Sequence, residues 1–427
     1  MDAPKTFVHE ALIDEAKQIR LMTRSKDGGY SLETFNFDSC PPYTALSYTW
    51  GPALPTKTII VNGCAFTIRE NLWHFLEQLK YGITIIGKVN HPLEHPHYMW
   101  IDQICIDQSS KVEKSHQVQR MAQIFSTAEN VIAWIGPGDD DSDTAMHLFA
   151  DSWPMERTSF DSDEQWAQLN YHHQSYRRRL LDDRRSIGQF LSRPYWRRLW
   201  IVQEVVLAQK LMIACGQYSV SLRALEIVDT IYSHSTEWSD TDETTDGLSI
   251  FPLFNAKALE DAYQRSASMD ASQRPLSAFA QVLSAFYMHQ CEDPRDRIYG
   301  LLALHGGQHI IDVDYTKTAQ EVFDELCAVL SDLIKQKNPR WLGRLAEVMG
   351  VRYQVCGDMG VSVASLHSFL SDHRTVPEGW RDDAVMAIKD PAKTAPEICA
   401  SIQNSQRRSL WKELTLGWKL LISRNPQ

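Results

Sequence analysis

The amino-acid sequence predicts an α/β domain built on a parallel sheet with flanking helices, followed by a mainly α-helical C-terminal region. Two apolar runs, residues 98–102 and 131–135, flank a segment at 113–128 whose apolar residues recur with helical spacing. A strand, a helix and a second strand in this order are typical of a βαβ unit, in which both strands are parallel. Beyond residue 220 most apolar residues again have helical spacing, which predicts the C-terminal helices.

The composition is that of an ordinary globular protein. In 427 residues, 43 Lys and Arg oppose 54 Asp and Glu, and the net charge of −11 argues against a general binder of nucleic acid or anionic membranes. Eight scattered cysteines without a C-x-x-C pair argue against a disulfide scaffold and a cysteine-rich zinc site. The charged N-terminus and the absence of a long apolar run predict a cytoplasmic protein with no secretory signal and no membrane span.

Residues 1–42 are predicted to form a strand pair that packs on the domain that follows. Apolar residues at 19–24 and 32–37 are typical of strands, and a Gly-rich turn separates them. The next predicted strand, residues 45–48, is followed by a Gly-Pro turn that begins at Gly51.

A hairpin and a helix are predicted next. Asn62-Gly63 joins two β-rich runs, and this dipeptide is a strong hairpin signal because both of its residues tolerate positive φ. The spacing of apolar residues from Leu72 to Leu79 predicts one buried helix face over residues 70–80. A second helix is predicted at 197–208 and a strand at 211–216.

The predicted α/β domain covers residues 43–216, with an insertion at 139–185, and the helical region covers 217–427. Two helices of that region are marked by apolar spacing around Phe279 and Leu326, the second with Thr316 or Thr318 as its N-cap. A Ser/Thr/Asp-rich stretch at 234–248 predicts a loop.

Three compact constellations carry the chemistry of this sequence, which has no dinucleotide-binding glycine motif, P-loop, H-E-x-x-H or G-x-S-x-G. They lie at 46–51, 100–108 and 197–204, the first two at the carboxyl ends of predicted parallel strands, where ligands bind in such sheets. Ser47 and Asp102 are therefore expected at one sheet edge.

Each constellation also has a structural interpretation. Ser47 and Tyr48 could satisfy backbone groups at a strand end, and Asp102 could cap the loop that follows it. Glu204 lies four residues after Trp200, on the same helix face, and could form an ion pair with Arg197 or Arg198 instead of acting in chemistry.

The motifs in these constellations resemble those of the fungal heterokaryon-incompatibility (HET) domain. The resemblance covers residues 43–216 and rests on YTALSYTWG, WIDQICIDQ, the 117–128 helix with VIAWIG, and RPYWRRLWIVQE, in this order. DPRDRIYGLL from residue 293 and VDY from residue 313 are similar to segments that follow the domain in such proteins. Gln103, Asp107 and Pro52 depart from the usual pattern, which leaves the fold intact but could alter the edge of a site.

The resemblance implies a role in non-self recognition between fungal individuals and in the cell death that follows. The HET domain is held to be a remote relative of TIR domains, so the resemblance implies a TIR-like, flavodoxin-like fold, and some TIR domains hydrolyse NAD. By this resemblance Glu204 is the candidate catalytic residue. The implied substrate-binding residues are Ser47, Tyr48, Trp50, Gly51, Asp102, Trp200 and Gln203.

Two classes of function remain open at this point. The first is an NAD hydrolase that needs no metal and no cofactor, with NAD as its substrate, and that acts after self-association through the HET domain. The second is a non-enzymatic adaptor that assembles with a receptor or another incompatibility protein. Replacement of Glu204 separates them, since an adaptor would tolerate it.

Overall fold

The predicted βαβ core lies at the centre of a mixed sheet in the computed structural model, which describes residues 5–25, 27–87, 90–152, 174–233, 274–304, 310–331, 334 and 340–351. These residues all lie in a compact unit, Met1–Tyr353. Their eleven strands are β1 (Gln18–Arg24), β2 (Tyr30–Asn36), β3 (Thr44–Tyr48), β4 (Thr56–Val61), β5 (Cys64–Arg69), β6 (Thr84–Ile85), β7 (His91–Pro92), β8 (Met99–Trp100), β9 (Asn130–Gly136), β10 (Leu211–Cys215) and β11 (Tyr218–Ser221).

Helices cover this sheet and follow it in the chain. In the described residues they are α1 (Glu70–Tyr81), α2 (Asp102–Cys105), α3 (Lys111–Gln119), α4 (Met121–Thr127), α5 (Asp140–Ala150), α6 (Gln174–Asp182), α7 (Arg184–Leu191), α8 (Ile201–Val206), α9 (Leu222–Ser233), α10 (Arg274–Phe286), α11 (Asp296–Tyr299), α12 (Ala319–Val329) and α13 (Arg340–Met349). The fold is therefore mixed α/β, as predicted at this level of detail.

The parallel strands predicted from the apolar runs lie side by side. The order of the sheet is β5-β4-β2-β1-β8-β3-β9-β10-β11-β6-β7. Strand β3 is parallel to both β8 and β9, and β9 is parallel to β10. Ala45 pairs with Trp100, and continuing this register brings Asp102 level with Ser47, as expected.

Antiparallel strands extend this parallel core on one side. β1 and β2 form the predicted N-terminal pair, and β1 joins the core through Met22, which pairs with Met99 of β8. The predicted hairpin is confirmed, because β4 and β5 meet at Asn62 and Gly63, whose φ angles are 49° and 74°.

Both faces of the sheet are covered by apolar side chains. In β3, Ala45 belongs to one hydrophobic cluster, whereas Leu46 and Tyr48 belong to another that includes α1. Alternate residues of a strand point to opposite faces. Ser47 therefore shares the face of Ala45.

Three predicted elements differ in length from those in the structure. The strand predicted at 98–102 stops at Trp100, since Asp102 begins α2. The helix predicted at 113–128 is divided at Arg120 into α3 and α4. The helix predicted at 197–208 is reduced to α8, because Arg198 is extended and the neighbouring backbone pairs with Gln290.

The C-terminal helices predicted around Phe279 and Leu326 are α10 and α12, and Thr318 is the N-cap of α12. Residues 217–221 add strand β11, which the sequence does not predict. The described part of 139–185 forms α5, α6 and α7. The loop predicted at 234–248 and the chain after residue 351 lie outside the described residues.

Candidate functional site

The carboxyl end of β3 brings Ser47 to the helix that carries Glu204. The Ser47 hydroxyl donates a hydrogen bond to the Glu204 carboxylate, and its oxygen lies 2.8 Å from the Tyr195 hydroxyl. Ser47 is 1% exposed and Glu204 3% exposed, so the pair is buried. Two segments 157 residues apart in sequence therefore form one polar cluster.

Local sequence explains how Tyr195 and Glu204 reach that cluster. Pro194 opens a single 3-10 turn, Pro194–Arg197, which turns the Tyr195 ring inward. Helix α8 follows, and Val202 and Val205 bury its apolar face in the cluster that Ala45 joins. This packing holds the carboxylate of Glu204 against the strand end.

Burial perturbs the charge of Glu204. Desolvation raises the pKa of this carboxyl from 4.5 to about 7, while the Arg198 charge and the Ser47 hydrogen bond act in the opposite direction. The Asp102 charge adds to the increase. A carboxyl group with this pKa changes its protonation state near neutral pH, which is common among catalytic acids and bases.

Asp102 and Trp50 form the outer edge of the site. The Trp50 indole donates to Asp102 over 2.7 Å, and the Arg69 guanidinium stacks on the Trp50 ring with 4.9 Å between the group centres. Arg69 also donates to the carbonyl oxygen of Gly51 over 2.7 Å. Gly51 has a φ of 76°, a conformation that favours glycine. A glycine therefore suits the turn that follows Trp50, whose indole contacts Asp102.

Tyr48 lies on the opposite face of the sheet from Ser47. Its hydroxyl donates to the Gln103 side-chain oxygen over 3.4 Å, and burial together with the Asp102 charge raises its pKa well above the usual value. The Arg198 guanidinium donates to the carbonyl oxygen of Tyr48. Arg198 thus reaches across the strand end and acts on both Asp102 and Glu204 through its charge.

Gln203 and Trp200, the two other predicted site residues, differ in their surroundings. Gln203 is 2% exposed, and its amide nitrogen has no hydrogen-bond partner among the residues that the structure describes. Trp200 donates its indole N–H to Asp296 over 3.0 Å. The structure therefore ties Trp200 to the C-terminal region, whereas Gln203 has a buried amide able to donate to a ligand.

The sequence does not predict that Tyr195 and Arg69 belong to the site, or that Arg198 reaches it. Tyr195 lies within the RPYW motif, but no local pattern predicts its contact with Ser47, 148 residues away. The sequence predicts Arg198 only as a possible ion-pair partner of Glu204. In the structure the hydrogen-bond donor to Glu204 is Ser47, and Arg198 donates to backbone.

The fold and these contacts define a mixed α/β domain with a buried, titratable carboxyl group at the carboxyl end of a parallel strand. Residues 43–204 match the family model described as Heterokaryon incompatibility protein (HET). This part of the chain is therefore similar to the HET family, as its motifs predict.

A curated relative is similar over a longer part of the chain. Heterokaryon incompatibility protein 6, OR allele, from Neurospora crassa is 27% identical over 367 residues, which cover 74% of this chain and 52% of the relative. The chain thus spans about half the length of that relative. No solved structure matches the chain.

The described residues contain neither a membrane-spanning helix nor a metal-binding cluster. No helix among them has the length and apolar character that crossing a membrane requires. The same part of the chain shows no group of three His, Cys, Asp or Glu side chains placed to bind a metal ion.

Proposed function

We propose that this chain acts in fungal heterokaryon incompatibility and that its HET domain cleaves the nicotinamide–ribose bond of NAD⁺. The first part is supported by the HET match and by the name of the Neurospora relative. The second is supported by one observation above all: the buried carboxyl group of Glu204, with a pKa raised to about 7, hydrogen-bonded to Ser47 at the end of a parallel strand.

The chemistry requires little beyond one carboxylate. Cleavage of NAD⁺ passes through an oxocarbenium-like state, as in glycoside hydrolysis, and water then attacks the ribose carbon. The products are nicotinamide, ADP-ribose and a proton. Since nicotinamide leaves as a neutral molecule, no strong general acid is needed. A carboxylate at the position of Glu204 would stabilise the positive charge that develops on the ribose.

Neighbouring groups suit this role. Ser47, which also contacts the Tyr195 hydroxyl, holds the Glu204 side chain, and the buried amide of Gln203 can donate to a ribose hydroxyl. Trp50 offers an aromatic ring at the outer edge, on which a planar base could stack. Such stacking and the TIR-like fold are part of the proposal.

The experiment is incubation of the purified full chain with NAD⁺ and measurement of free nicotinamide. Glu204→Gln keeps the shape of the side chain but removes its charge, and nicotinamide release should fall by roughly two or more orders of magnitude. Glu129→Gln, at an exposed position in the same domain, is the matched control and should leave release unchanged. Equal release by the wild type and Glu204→Gln would reject the catalytic assignment.

The burial of Glu204 favours a second candidate, a non-enzymatic adaptor. A carboxyl group that is 3% exposed and hydrogen-bonded to Ser47 also fits a purely structural contact. In that case Glu204→Gln should lower the stability and abundance of the protein, and cell death should fall only in proportion to abundance. Full killing by a stable, abundant Glu204→Gln protein would support the adaptor.

A further inference from the structure

A segment of the C-terminal region pairs with the backbone that leads into α8. The Leu199 N–H donates to the carbonyl oxygen of Gln290 over 2.9 Å, and the Gln290 N–H donates to that of Arg197 over 2.7 Å. These residues lie more than ninety positions apart. The chain after α10 therefore fixes the start of the helix that carries Glu204.

Asp296 makes a second, side-chain connection to the same place. Its carboxylate is 6% exposed and accepts hydrogen bonds at both oxygens, from Trp200 Nε1 over 3.0 Å and from the Tyr315 hydroxyl over 2.6 Å. Both donors are neutral, so the buried carboxylate depends on them for solvation. The pairing of Arg295 with Asp293 leaves Asp296 to these two donors.

Trp200 connects this carboxylate to α8 directly. Trp200 is the residue before α8, and its carbonyl oxygen accepts the Glu204 N–H over 3.3 Å. Gly300 packs beside it, since a Cβ at Gly300 would lie 3.5 Å from the Trp200 ring and 2.9 Å from the Asp296 carbonyl oxygen. The Trp200 indole is thus held by its hydrogen bond to Asp296 and by the backbone of Gly300, which packs against the ring.

We propose that Asp296 is a positioning residue: by holding the Trp200 indole it fixes the first turn of α8 and keeps the Glu204 carboxyl group buried on Ser47. Trp200 is then a link between the C-terminal region and the site, and not a surface on which substrate stacks. Any catalytic consequence rests on the proposed function, whereas the positioning itself does not.

The chain offers a matched pair of variants. Trp200→Phe and Tyr315→Phe each remove one hydrogen bond to the same carboxylate and keep an aromatic ring. Trp200→Phe alone cuts the connection to α8. Both variants should lose a similar amount of unfolding free energy. A difference between them in the pKa of Glu204 therefore reports the positioning of α8 and not a general loss of stability.

The readout is the titration of the Glu204 carboxyl group in the ligand-free full chain, followed by NMR of ¹³C-labelled glutamate and assigned with Glu204→Gln. Burial is the main cause of its pKa of about 7, so a loosened α8 that admits water should lower that value. We expect the pKa to fall by about one in Trp200→Phe and to stay within a few tenths of the wild-type value in Tyr315→Phe. Charges at Arg198 and Asp102, which also act on Glu204, are unchanged in both variants.

The proposal would be overturned if the pKa of Glu204 in Trp200→Phe equals the wild-type value. It would also be overturned if this pKa changes equally in both variants. If Trp200→Phe does not fold, Asp296→Leu takes its place, because an aliphatic side chain of similar size can accept the proton of neither donor. The titration requires no turnover. A wild type that releases no nicotinamide would therefore refute the proposed function without touching the positioning role of Asp296.

Discussion

At the scale of single residues, the charge of Glu204 makes stability depend on pH. Its pKa is higher in the folded chain, about 7, than the value of 4.5 expected when unfolded. The protonated form is therefore favoured by folding, and this contribution is fully present below pH 4.5 and is lost as the pH rises through 7. Burial raises the pKa of Asp296 to about 6, which acts in the same direction.

The wild type should therefore lose roughly 2 to 3 kcal/mol of unfolding free energy relative to Glu204→Gln between pH 5 and pH 8. Denaturant unfolding of both proteins at the two pH values measures this difference, from which the effect of Asp296 cancels. If the carboxylate is catalytic, kcat/KM for NAD⁺ should rise over the same interval. Parallel pH profiles for the two proteins would show that Glu204 titrates at an ordinary pKa.

A second residue-scale prediction concerns the buried ion pair of Arg20 and Glu113, each 3% exposed at its side chain. Arg20 Nη2 lies 3.0 Å from Glu113, and Glu113 also accepts the Asp107 N–H over 2.7 Å. Glu113→Gln leaves a buried guanidinium without a counter-charge, so it should cost about 3 to 5 kcal/mol of unfolding free energy. This pair ties β1 to the segment that follows Asp102.

Chemical denaturation of Glu113→Gln and of Asp14→Asn tests this prediction. Asp14 pairs with Lys17 at the surface, where both side chains are well exposed, so its replacement should change stability little. The double variant Arg20→Met, Glu113→Leu should recover much of the loss, because it removes both charges together. An equally small effect at Glu113 and Asp14 would contradict the prediction.

At the scale of elements, local signals predicted most of the sheet. The Asn62-Gly63 turn, the buried face of α1 and the apolar runs of β3 and β9 each depend on neighbouring residues, and each forms as expected. Helix α8 is shorter than predicted because Arg198 pairs with Gln290, a partner that no local pattern reveals. The contact of Ser47 with Tyr195 is hidden from sequence reasoning for the same reason.

The same long-range pairing predicts where the folding unit ends. Leu199 and Ile201 are fully buried, in a hydrophobic cluster that also includes Phe279 and Leu283 of α10. A chain cut after residue 216 would retain the whole family match but expose this apolar surface. It should lack a cooperative thermal transition, whereas a chain cut after residue 353 should retain one. Circular dichroism melts measure this, and a sharp transition in the shorter chain would contradict it.

At the scale of the whole molecule, the proposed cleavage of NAD⁺ requires the buried carboxyl group of Glu204 to become accessible. NAD⁺ cannot reach a carboxylate that is 3% exposed unless the groups around Ser47 separate. A second copy that binds the open form preferentially would shift the protein towards it by mass action. We therefore expect nicotinamide release per molecule to fall on dilution.

The net charge of −11 predicts that self-association and nicotinamide release also depend on salt concentration. Copies of an acidic protein repel one another, and added salt screens the repulsion over about 8 Å at physiological ionic strength. At a fixed low protein concentration, moderate salt should therefore raise both the fraction of associated protein and the release per molecule. Light scattering and the nicotinamide assay, run on the same dilution series with and without salt, measure the two quantities together. Release per molecule that stays constant over a hundredfold dilution, while the associated fraction falls, would show that a single copy opens its own site and would remove self-association from the mechanism.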